Sequence, residues 1–157
     1  MRIHLVAIGR RMPDWVETAV ADYQRRLPRE LPLRIHPVDA ASRPKKNPDV
    51  DRLRRDEGHR LLAAVPRGAR IIALDERGRG WDTPGLARRI EGWREEGRDV
   101  ALLAGGADGL DAACLEAAEV RWSLSPLTLP HALVRVVVAE QCYRAWSLLQ
   151  GHPYHRG

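Results

Sequence analysis

Residues 99–109 read Asp99-Val100-Ala101-Leu102-Leu103-Ala104-Gly105-Gly106-Ala107-Asp108-Gly109. Five apolar residues run from Val100 to Ala104 and stop at a turn rich in glycine, the pattern of a buried strand feeding a loop. A glycine pair after a strand builds either a tight turn or a cradle in which backbone N–H groups meet a ligand with no Cβ in the way. Some twenty residues on, Leu124-Ser125-Pro126-Leu127-Thr128-Leu129-Pro130 has no helical period and holds two prolines that remove backbone donors. It reads as a second loop with polar backbone groups free for a ligand, and the two loops are expected to line one pocket.

The chain around these loops alternates strand and helix patterns. Ile3 to Gly9 is an apolar run ended by Gly, a buried strand. After Pro13, apolar residues recur at helical spacing at Trp15, Val16, Ala19, Val20, Tyr23 and Leu27, as far as Pro28. Leu31 to Val38 alternates, but Pro32 and Pro37 restrict it to an edge or short strand. Ala40 to Pro48 is a polar, basic loop, read as mobile without a ligand. Asp49 to Val65 is a charged amphipathic helix closed by Pro66 and Gly68, and Ile71 to Leu74 a second buried strand.

Asp75-Glu76-Arg77-Gly78-Arg79-Gly80 is expected to be a flexible loop at that strand's carboxyl end. Thr83-Pro84 supplies an N-cap and a first-turn proline for a helix that buries Leu86, Ala87, Ile90 and Trp93 and stops at Gly97. Beyond the Val100 strand come an Ala-rich helix over Asp111 to Glu119 and a short strand near Arg121 to Leu124. His131 to Leu149 then runs without Gly or Pro; its length and apolar spacing predict a helix despite the β-branched Val134 to Val138 section. The expectation is a single α/β domain over 1–157 with a largely parallel sheet flanked by helices. In such sheets ligands sit at the carboxyl ends of strands, which places the loops after Leu74, Ala104 and Leu124 on one edge.

A chain of 157 residues buries a core without staples. Cys114 and Cys142 lack metal-type spacing and suit a reducing compartment. The opening apolar run is too short for a signal peptide and nothing approaches a membrane span, so a soluble, cytoplasmic protein with no membrane partner is expected. Formal charge is +5, split unevenly: residues 1–98 carry +7 and residues 99–157 carry −2. The clusters Arg10-Arg11, Arg25-Arg26, Arg43 to Lys46 and Arg52 to Arg55 are either a solvated surface or a face for a polyanion. Among the tryptophans, Trp15, Trp93 and Trp146 fall at helical apolar positions and read as core, whereas Trp81 is a candidate for ligand contact.

No G-x-G-x-x-G or G-x-x-x-x-G-K-[ST] pattern occurs, so neither a dinucleotide nor a triphosphate site is supported. His152 and His155 are spaced three apart, but the intervening Pro153-Tyr154 reads as irregular tail and zinc needs a further protein ligand; no metal is expected. The tail His152-Pro153-Tyr154-His155-Arg156-Gly157 is either a frayed end or a carrier of imidazole, phenol and guanidinium into a site. His131, behind Pro130, is either a helix-start packing residue or a functional one.

These words share their order and spacing with a known family. Met12-Pro13-Asp14-Trp15-Val16, Trp81-Asp82-Thr83-Pro84, Gly105-Gly106-x-x-Gly109-Leu110, Trp122-Ser-Leu-Ser-x-Leu-Thr-Leu-Pro-His131, Tyr143-Arg-Ala-Trp-Ser147 and the terminal His-Pro-Tyr-His-Arg resemble the ribosomal large-subunit pseudouridine N3-methyltransferases of the SPOUT superfamily, the RlmH type. The resemblance implies S-adenosylmethionine-dependent methylation of a pseudouridine in 23S ribosomal RNA on the assembled ribosome. It also implies a homodimer and a C-terminal trefoil knot, with the cofactor-binding knot at about residues 70–157; periodicity shows no knot, and chain topology ordinarily avoids one. Carried over by position, Leu74, Gly105, Gly106, Leu124, Ser125, Pro126, Leu127, Thr128 and Leu129 correspond to the cofactor pocket. His131, Tyr154, His155 and Arg156 correspond to the residues nearest the methyl acceptor. The chain departs from the common pattern at Ala107-Asp108, where relatives often carry Pro-Glu, and at Ala132, where a second Pro often follows the His. Two rival readings are a noncatalytic ribosome-binding factor and a SPOUT enzyme acting on transfer RNA.

Overall fold

The computed structural model describes residues 1–156 apart from the side chain of His155. Five strands, β1 (Ile3–Ile8), β2 (Leu33–Val38), β3 (Arg70–Gly80), β4 (Val100–Ala104) and β5 (Val120–Ser123), form one sheet in the order β2-β1-β4-β3-β5. Every pairing is parallel, so every strand-to-helix loop emerges at the same, carboxyl edge. The helices are α1 (Asp14–Arg26), α2 (Val50–Ala64), α3 (Thr83–Glu96), α4 (Ala112–Ala117) and α5 (His131–Leu149), followed by a 3-10 turn over Pro153–Arg156.

Parallel strands need helical crossovers, and these cover both faces. Successive side chains of β1 and β4 point to opposite sides. Ile3, Leu5, Ala7, Val100, Leu102 and Ala104 face α1, α3 and α5 in one cluster. Val6, Ile8, Ala101 and Leu103 face Leu61 of α2 and Cys114 of α4 in the other. This two-sided burial is why the strands read as unbroken apolar runs, and removing Leu5 or Leu102 to Ala would cost about 2–5 kcal/mol.

The structure corrects four expectations. The polar segment 75–80 is not a free loop: β3 runs on to Gly80, with its register against β5 shifting between Leu74 and Arg79. Gly78 allows this, because a Cβ there would stand 2.5 Å from the Arg121 carbonyl carbon. The N-cap of α3 is Asp82, whose carboxylate accepts from the Gly85 N–H at 2.8 Å, with Thr83 inside the helix. The Ala-rich helix is one residue shorter at its start and two at its end than Asp111 to Glu119, since Asp111 caps it. Trp15 is not core; it lies off the face of α1 that carries buried Val16 and Val20, and its side chain projects into solvent.

Leu33–Val38 is a full edge strand despite Pro37, as edge position permits. No helix among the described residues is long and apolar enough to cross a membrane.

Candidate active site

A cavity of about 570 Å³ opens at the carboxyl edge where β4, β3 and β5 end. Its walls come from Leu74, Asp75 and Glu76 of β3, the glycine turn after β4, Leu115 of α4, Trp122 of β5, the 124–130 loop, and His131 and Val134 at the start of α5. Leucines from each loop make most of the lining apolar.

The glycine turn has a specific geometry. The Gly109 N–H donates to the Gly106 carbonyl at 3.1 Å, and Gly109 takes a φ of +77°, which glycine adopts without strain. A Cβ on Gly105 would lie 2.5 Å from the Gly109 carbonyl carbon, and one on Gly106 would press on Ile8 at 3.0 Å. The turn is therefore folded on itself too tightly for side chains at either position.

Hydroxyls shape the second loop. Ser123 Oγ donates to the Ser125 carbonyl at 3.0 Å, while Ser125 Oγ accepts from the Leu127 N–H at 2.9 Å. Thr128 Oγ1 donates to Glu76 Oε2 at 3.0 Å, tying this loop to the irregular part of β3. Leu127 projects outward, 72% exposed at the cavity's rim.

Of the residues singled out from the sequence, Leu74, Gly105, Gly106, Leu124, Ser125, Leu127, Thr128, Leu129 and His131 all line this one cavity. Pro126 belongs to the same loop but is exposed and outside the lining. Tyr154 lies elsewhere. Its hydroxyl donates toward Glu140 Oε1 at 3.3 Å and Tyr23 Oη at 3.4 Å, and its ring meets Tyr143 edge-on. Glu140 is roughly 13 Å further along α5 than His131, by the usual rise per residue. Burial, then the contact with Tyr23, raises the Tyr154 phenol well above its ordinary value, so it stays a proton donor. Arg156 is exposed, and the His155 side chain lies outside the described residues.

Asp75, Glu76, Leu110, Leu115, Trp122 and Val134 also line the cavity, and none of them was singled out as a site residue from the sequence. The rule that ligands gather at strand carboxyl ends points to the segment after Leu74, and Asp75 and Glu76 are its members on the cavity wall. Trp122 carries a buried indole N–H with no partner among the described residues. Trp81, the tryptophan expected at a ligand, instead stacks on Trp122 at 4.6 Å with the Arg89 guanidinium 3.9 Å from its own ring. Trp122 thus lines the cavity, with Trp81 stacked on its ring. Neither thiol is a ready nucleophile, since burial pushes Cys114 up to about 11 and Cys142 up to about 12.

Two comparisons with known proteins bear on this site. The family model for predicted SPOUT methyltransferases matches residues 1–155. The chain belongs to the SPOUT methyltransferase family. It is also 54% identical over 156 residues to the ribosomal RNA large subunit methyltransferase H of Thioalkalivibrio sulfidiphilus (strain HL-EbGR7), covering 99% of each chain. Membership makes this an enzyme of methyl transfer and accounts for a cavity built from a glycine turn and a proline-bounded loop on a parallel sheet.

Proposed function

We propose that the protein transfers a methyl group from S-adenosylmethionine to N3 of a pseudouridine in 23S ribosomal RNA on the assembled ribosome, as a homodimer and without a metal. The observation that carries this reading is the convergence of Gly105, Leu127 and His131 on one cavity, in a SPOUT chain similar throughout to a ribosomal RNA methyltransferase. We take residues at about 70–157 as the knotted, cofactor-binding part of a single domain.

The cavity suits the donor. Its volume lies within the usual range for small-molecule sites. Leucines offer apolar surface for an adenine and a thioether, and backbone groups of the two loops offer hydrogen bonds. The carboxylates of Asp75 and Glu76 place negative charge where a sulfonium and an ammonium are positive. When bound, the donor supplies an electrophilic methyl group on a positively charged sulfur.

The chain's own part is positioning and proton handling. Displacement at a methyl needs nucleophile, carbon and sulfur in line, which fixed walls provide. His131 stands at the corner where α5 begins, with an imidazole that can take the imide proton of a pseudouridine. The first-turn N–H groups of α5 have no intrahelical acceptors, and the positive end of the helix dipole favours the anion that forms as the proton leaves.

Tyr154, His155 and Arg156 are assigned to the acceptor side of the reaction. Since Tyr154 rests against Glu140 and Tyr143, the tail reaches a cavity either by leaving that bed or by entering the cavity of a second copy. Half-exposed Leu133 and Val137, one turn apart on α5, support a face for that copy.

The test is incorporation of labelled methyl from S-adenosylmethionine into purified ribosomes and, in parallel, transfer RNA, with a calorimetric titration of the donor. Saturable donor binding with label in ribosomes alone is expected. Label in transfer RNA alone would contradict the acceptor, and the absence of saturable heat would favour a noncatalytic ribosome-binding factor.

A further inference from the structure

Because all strands run one way, the loops after β1 and β2 open on the same edge as the cavity. The order β2-β1-β4 places them within about 10 Å of the glycine turn, two strand spacings away. The basic segment at 40–48 is fastened there. The Ala41 N–H donates to Glu57 Oε2 at 3.1 Å, and the Arg60 guanidinium donates to the carbonyls of Asp39 and Ala40, each at 3.0 Å. Arg43 forms an ion pair with Asp108 inside the glycine turn itself.

The cations of this rim fall into two groups. Arg10, Arg43 and Arg54 are each paired with a carboxylate of the chain. Arg11, Lys45 and Lys46 are exposed, and among the described residues no carboxylate lies within ion-pair distance of them. Four residues on from Arg11, in the first turn of α1, Trp15 has 58% of its surface in solvent. Uncompensated cations on a segment fastened at Ala41 and Arg43, on an edge that also carries an exposed indole after β1, match a strand of RNA, whose phosphates take cations and whose unpaired bases stack on aromatic rings.

We propose that the 40–48 segment, with Arg11 and Trp15, is the docking rim for the RNA that flanks the target nucleotide. Arg43–Asp108 is a positioning pair that fixes the distance from this rim to the cavity. The inference rests on RNA being the methyl acceptor. Lys45 and Lys46 neutralise phosphates, Trp15 stacks a base, and the ion pair holds the docked strand in register with the methyl donor.

The experiment compares wild type with a Lys45→Ala, Lys46→Ala double variant in two assays across about 50–200 mM salt, the range over which phosphate contacts weaken. One assay is sedimentation binding to purified ribosomes; the other is methyl transfer at varied ribosome concentration. The variant is expected to bind about tenfold more weakly and to raise KM alike, with a salt slope shallower by about 1.4–1.8 for two lost phosphate contacts. Its kcat at saturating ribosomes and its calorimetric affinity for S-adenosylmethionine are expected to match wild type. Asp108→Asn is expected to raise KM and Asp108→Glu to restore it. Unchanged binding and salt slope in the double variant would overturn the docking rim, and unchanged KM in Asp108→Asn would overturn the positioning pair. Wild type that binds ribosomes without methylating them would contradict the acceptor reading, while the binding assay still decides the rim.

Discussion

Gly105 and Gly109 approach so closely that a Cβ on the first would stand 2.5 Å from the carbonyl carbon and 2.6 Å from the carbonyl oxygen of the second. Backbone cannot yield as a flexible side chain does. Gly105→Ala is therefore expected to open the turn, lowering stability by about 1–3 kcal/mol and weakening S-adenosylmethionine binding at least tenfold. Thermal unfolding and calorimetry check the two effects; a variant with wild-type affinity would show that the turn does not shape the donor site.

Leu127 separates fold from site. It contributes little to the core, being 72% exposed, yet it stands on the cavity rim. Leu127→Ala is expected to leave stability within about 0.5 kcal/mol. Covering a leucine with ligand contributes about 1.5–3 kcal/mol, so donor affinity is expected to fall tenfold or more. Calorimetric titration beside a denaturant melt measures both.

Removal of residues 154–157 addresses the tail. Tyr154 touches Glu140 of α5 and Tyr23, and neither Tyr154 nor Arg156 lines the cavity. The truncated protein is expected to bind S-adenosylmethionine as wild type does and to lose methyl transfer to ribosomes. Undiminished turnover would remove Tyr154, His155 and Arg156 from the acceptor site.

At the amino edge of the sheet, away from the cavity, His4 bridges Asp99 Oδ2 and His36 Nε2, each at 2.8 Å. Burial, then the nearby charges of His4 and Arg34, lowers the His36 pKa below 6.5. Burial alone would raise the Asp99 carboxyl, but hydrogen bonds from His4 and from the Arg2 N–H bring it below 3.8. Below pH 6.5 the unfolded chain takes up a proton that folded His36 resists, so stability falls with pH until the folded His36 titrates. A second loss comes as pH falls below 3.8 and through the folded pKa of Asp99. Denaturant midpoints from pH 8 to 3 are expected to show both losses, and His36→Phe is expected to flatten the first.

The legibility of this fold followed burial. Val100 to Ala104 and Ile3 to Ile8 were readable because both faces of each strand are covered, leaving no polar residue to blur the run. His131–Leu149 was readable by its length without Gly or Pro and by its apolar spacing. Asp75 to Gly80 was not, because its composition is that of a loop and only pairing with β5 and the space left by Gly78 make it strand. Trp15 and Trp93 both fall at helical apolar positions; one is exposed and the other buried because Trp15 lies off the face of α1 that carries Val16 and Val20, while Trp93 lies on the buried face of α3. Strand order was invisible, and with it the meeting of Arg43 with Asp108. The cavity's glycine and proline loops announced themselves through backbone chemistry, whereas Trp122 looked like any core aromatic and the position of the tail depended on contacts of α1 and α5.

The most direct measurement is the identity of the methylated nucleoside. Ribosomes incubated with the enzyme and isotopically labelled S-adenosylmethionine are stripped of protein, their 23S RNA is digested to nucleosides, and the labelled species is resolved by mass spectrometry. The expected result is a single labelled product, pseudouridine methylated at N3, that is absent when His131 is replaced by Ala. Label on any other nucleoside, or at any other position of the pseudouridine, would contradict the account.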